Sequence, residues 1–238
     1  MPQPVPPHSS TNQKRLLITA GPTHEPIDAV RYIGNRSSGR LGIALADRAA
    51  GLGWTVKLLL GPTNLTPADS HIEVRRFRTT AELDALLRPA FSDCDVLIMA
   101  AAVADFRPRG TPAGLLGKLR RGLEPVTLTL EPTRDLLAGV AAERRPDQTV
   151  VGFALEPAER LIDSAKDKLR RKGLDMIVAN PLTTIESDTI DATIFTTDGS
   201  PALTPGSMTK TAFASVLLSA ICAYRRVQSE QLATGVIA

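Results

Sequence analysis

The chain has 238 residues, 43% hydrophobic and 4% aromatic, with 28 Lys and Arg against 25 Asp and Glu for a net charge of +3. A chain of this length removes roughly 70% of its unfolded surface from water, so its core needs no disulfide staples; Cys94 and Cys222 form no C-x-x-C redox or zinc motif and suit a reducing compartment. The charge excess is small, and six Phe, two Tyr and one Trp leave few rings for base stacking, which argues against a nucleic-acid partner.

Residues 1–13 hold four Pro and three Ser or Thr with no apolar period, and read as a disordered arm. They lack the charged and apolar regions of a signal peptide, and no run approaches the roughly 18 apolar residues that span a bilayer, so the expectation is a cytoplasmic protein with no membrane contact. A single domain is expected over 14–228, with a tail over 229–238. It opens with a buried strand at 15–20 (RLLITA) and a long polar, Gly-rich loop. A helix over 39–53 follows, in which Leu41, Leu45 and Ala49 recur at helical spacing, and then a strand at 55–60.

The alternation continues with strand 72–77, helix 80–90, strands 95–100 and 126–131, helix 134–144, strand 149–153, helix 157–172, strands 175–179 and 192–197, and helix 210–226. Strands alternating with helices predict an α/β fold: an open, doubly wound, mostly parallel sheet of Rossmann-like kind. Ligands of such sheets sit beyond the carboxyl ends of the strands. That directs attention to loops 21–40, 101–121, 131–135 and 153–157.

The first loop runs from Gly21 through Arg31 and Asn35 to Ser37, Ser38 and Gly39, where the helix begins. Backbone N–H groups and the helix dipole make such a start an anion site, although Ser37 and Ser38 could equally cap the helix and Gly39 merely permit a turn. A dinucleotide site would need G-x-G-x-x-G directly after the first strand and an acidic residue about 20 positions on. Both are missing here, as is a P-loop. The three histidines, His8, His24 and His71, are too scattered to ligate a metal, and no side-chain cluster suggests one.

After strand 95–100 the small residues Ala101, Ala102, Val103 and Ala104 allow close approach of a ligand, and Asp105 is placed either to bind a ribose hydroxyl or metal-bound phosphate or to cap a turn. Lys118, Arg120 and Arg121 end a Gly- and Pro-rich loop. Lys168 and Lys172 share a helix face, where they bind a ligand or only complement the helix dipole; Phe153 ends a strand, as a base-stacking ring or a core residue. Against a net charge of +3, residues 166–172 carry +4 and 118–121 carry +3, which leaves the remainder at −4. Basicity so localised suits a polyphosphate ligand better than a long nucleic acid.

The motifs ITAGPTHEPIDAVRYIGNRSSGRLG, AAVADFRP, GKLRR, VVGFALE and KLRRKGLDMIVAN occur in an order that resembles the phosphopantothenate–cysteine ligases over residues 15–226. Since the chain starts at the ligase's first strand, the resemblance implies a monofunctional ligase with no flavin. It implies 4′-phosphopantothenate, L-cysteine and a nucleoside triphosphate, CTP, as substrates, Mg2+ carried by the triphosphate, an acyl-nucleotide intermediate, and a homodimer. Asn35 and Lys118 match the family's catalytic residues, and Arg31 an arginine one helical turn before the asparagine. Met99, Ala100, Ala101, Asp105, Thr133, Arg134, Asp135, Leu136, Phe153, Lys168 and Lys172, with Lys118, match its nucleotide-binding positions.

The sequence departs from the family pattern in three places. Arg120 and Arg121 stand where lysines are usual and the loop before Lys118 is longer; Thr133-Arg134-Asp135 replaces Asn-Pro-Asp or Thr-Pro-Asp; and Asp191 stands at a position that is commonly Asn. Two rival readings share the fold class: a nicotinamide-dependent oxidoreductase and a non-catalytic nucleotide-binding protein.

Overall fold

Five strands are built from runs that are apolar almost without interruption, because both of their faces are covered. They are β1 (Arg15–Ala20), β4 (Thr55–Leu60), β6 (Val96–Met99), β9 (Thr149–Glu156) and β10 (Met176–Pro181), of which β6 is buried at every position. With β5 (Glu73–Arg76) and β12 (Thr193–Thr196) they form one sheet, in a computed structural model that describes residues 14–110, 117–120 and 122–234. The strand order is β12-β10-β9-β6-β1-β4-β5, parallel throughout except for the edge strand β12, which runs antiparallel to β10. The direction of winding reverses between β1 and β6, which is the topological switch point of a doubly wound sheet.

Helices α1 (Arg40–Ala50) and α5 (Lys210–Thr234) cover one face, burying Leu45, Ala46, Phe213 and Leu217 against Ile18, Leu58 and Ile98. Helices α2 (Thr80–Ser92), α3 (Leu136–Ala142) and α4 (Leu161–Arg171) cover the other, where Leu83, Leu137 and Leu169 meet Leu17, Leu97 and Ile177. Alternate residues of β1 and β6 thus belong to different cores. α1 lies close on β1 because position 42 is glycine: a Cβ there would strike that of Ala20.

Several short pairs were not expected. The hairpin of β2 (His24–Pro26) and β3 (Tyr32–Gly34) interrupts the first loop, with the His24 and Tyr32 rings stacked 3.7 Å apart. β7 (Phe106–Pro108) pairs with β8 (Leu130–Pro132), and β11 (Thr189–Ile190) with β13 (Met208–Thr209).

The strand predicted over 126–131 is corrected by this arrangement: only Leu130 onward is a strand, and it lies outside the main sheet. The alternating VTLTL is a sound strand pattern, but Val126 and Leu128 are exposed and no described strand pairs with them. The last helix continues to Thr234 instead of ending at 226, so residues 229–234 of the predicted tail are helical. α4 starts at Leu161, since Pro157 to Arg160 form a turn before it. The predicted arm over 1–13 and Arg121 lie outside the described residues, and no helix among them is long and apolar enough to cross a membrane.

Candidate functional site

At the carboxyl ends of β1, β6, β9 and β10 lies a cleft of about 690 Å³. Its floor is the segment Ala100 to Asp105, held by the continuation of β1. Thr19 accepts the Ala101 N–H on its hydroxyl at 3.1 Å, and Thr23 accepts that of Ala104 at 2.9 Å. Both threonines are fully buried, so their hydroxyls fix this backbone from beneath. Sequence reading did not single them out. A buried polar residue in or after an apolar strand was the available signal.

Gly21 lies under the cleft instead of lining it; its backbone is left-handed (φ 80°) and packs against Gly61. Gly39 precedes α1 in the same conformation (φ 75°), and no side chain caps the helix. Ser37 and Ser38 line the cleft, but the Ser38 hydroxyl receives only the Arg40 N–H, at 3.4 Å. Apart from that one long bond, the first turn of α1 has no side-chain acceptor for its N–H groups and no acidic residue. From the neighbouring hairpin, the Asn35 amide reaches over the floor and donates to the Val103 carbonyl at 3.0 Å.

Across the cleft stand the residues of α3 and α4. Asp135 caps α3 through the Ala138 N–H at 3.0 Å and pairs with Lys172 at 2.7 Å. Burial opposes ionisation of Asp135, but hydrogen bonds from Lys172 and Ala138 hold its carboxyl below the usual range. Lys168 donates to the Phe153 carbonyl at 2.6 Å. Burial, then the neighbouring Lys172, pushes the Lys168 ammonium down, while Asp135, Asp105 and Glu156 pull it back.

Thr133 is locked to the floor: its hydroxyl donates to Ala104 and its N–H to Asp105, at 2.5 and 2.9 Å. Its side chain thus serves the cleft's architecture. Arg134 extends outward to Asp84. Met99 and Leu136 are buried in the wall, Phe153 is half-buried, and Asp105 is exposed with no described residue bonded to its carboxylate.

Two expected residues lie elsewhere. Lys118 and Arg31 line a second cavity, of about 960 Å³, with Leu119, Arg120, Val126 and Leu128. Arg31 sits in the turn of the β2–β3 hairpin and not in a helix. Between them is Asp28, which sequence reading passed over. Its carboxylate accepts the N–H groups of Val30, Arg31 and Leu119 at 2.8 to 3.0 Å and pairs with the Arg31 guanidinium at 2.6 Å. Arg31 in turn donates to the Leu119 carbonyl, and the Ala29 N–H to that of Gly117. The segment carrying Lys118 is thus tied to the turn at residues 28–31.

Residues 11–224 match the family described as the DNA/pantothenate metabolism flavoprotein C-terminal domain. The chain belongs to this family. The Mycobacterium tuberculosis coenzyme A biosynthesis bifunctional protein CoaBC is 39% identical over 224 residues, covering 89% of this chain and 52% of that protein. A cysteine/cysteine sulfinic acid decarboxylase of an unknown prokaryote is 48% identical over 171 residues, 72% of this chain and 46% of that one. The chain spans about half the length of the curated relatives it matches. The crystal structure of the C-terminal domain of CoaBC superposes with a TM-score of 0.75 at 33% identity, covering 91% of this chain and 96% of that one.

Proposed function

We propose that the chain is a phosphopantothenate–cysteine ligase of coenzyme A synthesis, joining 4′-phosphopantothenate to L-cysteine through an acyl-nucleotide with CTP as co-substrate. The observation that carries this reading is the gathering, in one cleft at the switch point, of the Asn35 amide, the Asp105 carboxylate and two lysines around a helix start without a side-chain cap. No acidic side chain stands at the end of β4, where a dinucleotide's ribose would be held, which weighs against an oxidoreductase.

In this reaction the substrate carboxylate attacks the α-phosphorus, the bond to the bridging oxygen breaks, and pyrophosphate leaves with the electron pair. The cysteine amine then adds to the acyl carbon, the carbon–oxygen bond breaks, and the nucleoside monophosphate departs as the amine loses a proton. No electrons change hands, so a flavin has no part. Phosphoryl chemistry of this kind needs positioning and charge stabilisation more than a nucleophilic side chain.

The base would lie against Phe153 between the backbone of Met99–Ala101 and that of Thr133–Leu136, with Lys168 and Lys172 beside it. Asn35 is a neutral donor, able to bond a developing oxyanion without competing for phosphates. Among the described residues no group of three His, Cys, Asp or Glu could hold a metal ion. Mg2+ usually takes one or two carboxylates plus substrate phosphates, so Asp105 alone fits, and the ion would offset phosphate charge.

A homodimer is part of this reading. Val30, Tyr32, Phe106, Leu123, Val126 and Leu130 are exposed apolar side chains of the β2–β3 hairpin, the β7–β8 pair and the segment between β7 and β8, and a second copy would cover them.

The test is pyrophosphate release with 4′-phosphopantothenate and each of CTP, ATP, GTP and UTP, with and without cysteine; no release with any of them refutes the ligase. Asn35→Asp should lower amide formation about 100- to 1,000-fold, the usual loss for an oxyanion donor. Pyrophosphate release should fall less, and unimpaired amide synthesis would exclude that role for Asn35.

A further inference from the structure

Two cations of the cleft were not singled out by their sequence pattern. Arg40 opens α1 and Lys210 opens α5, and both line the cleft on the face opposite α3 and α4. Each stands at a positive helix end where a cation is unfavourable, and neither helix has an acidic residue in its first turn to offset it. Such placement costs stability, so a cause other than folding is called for.

Both cations are held by one turn, residues 185–188. The Arg40 guanidinium pairs with the Asp188 carboxylate, and the Lys210 ammonium donates to the Ser187 carbonyl. The Asp188 side chain is 83% exposed, and ion pairs open to water contribute little. The turn also contains Glu186, whose φ of 57° is left-handed for a residue with a side chain. This contact is therefore weak and replaceable. Burial, then the charge of Arg40, pushes the Lys210 ammonium down, while Asp188 pulls it back.

The opposite wall differs. There Lys172 is bound to Asp135 with its side chain only 15% exposed, Lys168 is committed to the Phe153 carbonyl, and the start of α3 is already capped by the Asp135 carboxylate. With Met99, Leu136 and Phe153 beside them, that wall suits a base, whereas the α1–α5 wall suits multiple negative charge.

We propose that Arg40 and Lys210 form the subsite for the two terminal phosphates of the nucleoside triphosphate, and that Asp188 is a stand-in anion displaced when they bind. The inference rests on the ligase reading and gives the triphosphate a direction: base against α3 and α4, pyrophosphate at the starts of α1 and α5. The same two cations then hold the leaving group as the phosphorus–oxygen bond breaks.

The test uses calorimetric titration of the full chain with inorganic pyrophosphate, CMP and CTP. Arg40→Gln and Lys210→Gln should each weaken pyrophosphate and CTP about tenfold or more, as expected for a lost hydrogen bond to a charged group, and leave CMP within about twofold. Arg40→Lys should recover most of the loss. Asp188→Asn should act in the opposite direction and tighten pyrophosphate severalfold, a gain that damage to the fold would not produce. Unchanged pyrophosphate affinity in Arg40→Gln, or no tightening in Asp188→Asn, overturns the subsite. Failure of the ligase reading shows separately, as wild-type protein that binds CTP and pyrophosphate but releases none in the presence of 4′-phosphopantothenate.

Discussion

Asp28 shows how one side chain can decide the position of another that does the chemistry. Burial alone would raise its carboxyl, but the N–H groups of Val30, Arg31 and Leu119 and the Arg31 guanidinium outweigh this and hold it well below the usual carboxylate range. A group depressed in this way contributes stability that is complete above the ordinary carboxylate pKa and is lost only as pH falls through its folded value. The clamp on the Lys118 segment should thus persist across the physiological range. Asp28→Asn keeps one acceptor but no charge, and should free Gly117 to Arg120 for tryptic cleavage after Lys118 and Arg120 severalfold faster, read by mass spectrometry; an unchanged rate would show that the carboxylate does not hold the segment. Cys94 behaves in the opposite way. Burial pushes its thiol up to about 12, so in native protein a thiol reagent should modify Cys222 first, with Cys94 reacting only on unfolding.

At the scale of elements, α2 is held by a residue outside it. Thr79 caps the helix by accepting the Glu82 N–H at 3.1 Å, the Glu82 carboxylate accepts the Arg78 N–H at 2.7 Å, and the buried Glu25 of β2 accepts both the N–H and the hydroxyl of Thr80 at 2.7 Å. The hairpin is fastened to the fold through this carboxylate. Glu25→Ala leaves two buried donors unpaired, at about 2 kcal/mol, which for a chain of this size lowers the melting temperature by roughly 4–8 °C. Glu25→Gln, which retains an acceptor, should lose less. The central strands were legible in the sequence because two covered faces demand continuous apolar runs, as in RLLITA and DVLIMA. The hairpins were not, because His24-Glu25-Pro26 and Phe106-Arg107-Pro108 are short, Pro-containing triplets with no strand-like apolar run, and become strands only by pairing with Tyr32–Gly34 and Leu130–Pro132. The same holds for the site. Asp105 and Phe153 were candidates because they were expected at or just beyond strand ends, and both line the cleft although β9 runs on to Glu156, whereas Arg40 and Lys210 looked like ordinary first-turn residues until α1 and α5 were brought together.

At the scale of the whole molecule, the question is which cleft Lys118 serves. Within one chain it lines a cavity apart from the cleft that holds Asn35, and the Asp28 clamp keeps it there. The exposed apolar residues around it form the surface proposed to meet a second copy, and a symmetric dimer would bring each Lys118 toward its partner's site. Two predictions follow in order. Sedimentation should give twice the chain mass, and Val126→Asp with Leu128→Asp should give folded monomers. Asn35→Asp and Lys118→Ala should each be inactive alone, yet recover activity when mixed and allowed to exchange subunits. If sites are shared between chains, each hybrid dimer has one site with both residues intact and one with neither. Random pairing makes about half of the dimers hybrids, so about a quarter of wild-type activity should return. If Lys118 serves its own chain, both sites of every hybrid lack one residue and nothing returns, so a mixture without activity would place Lys118 in its own cleft and require the clamp to open during turnover.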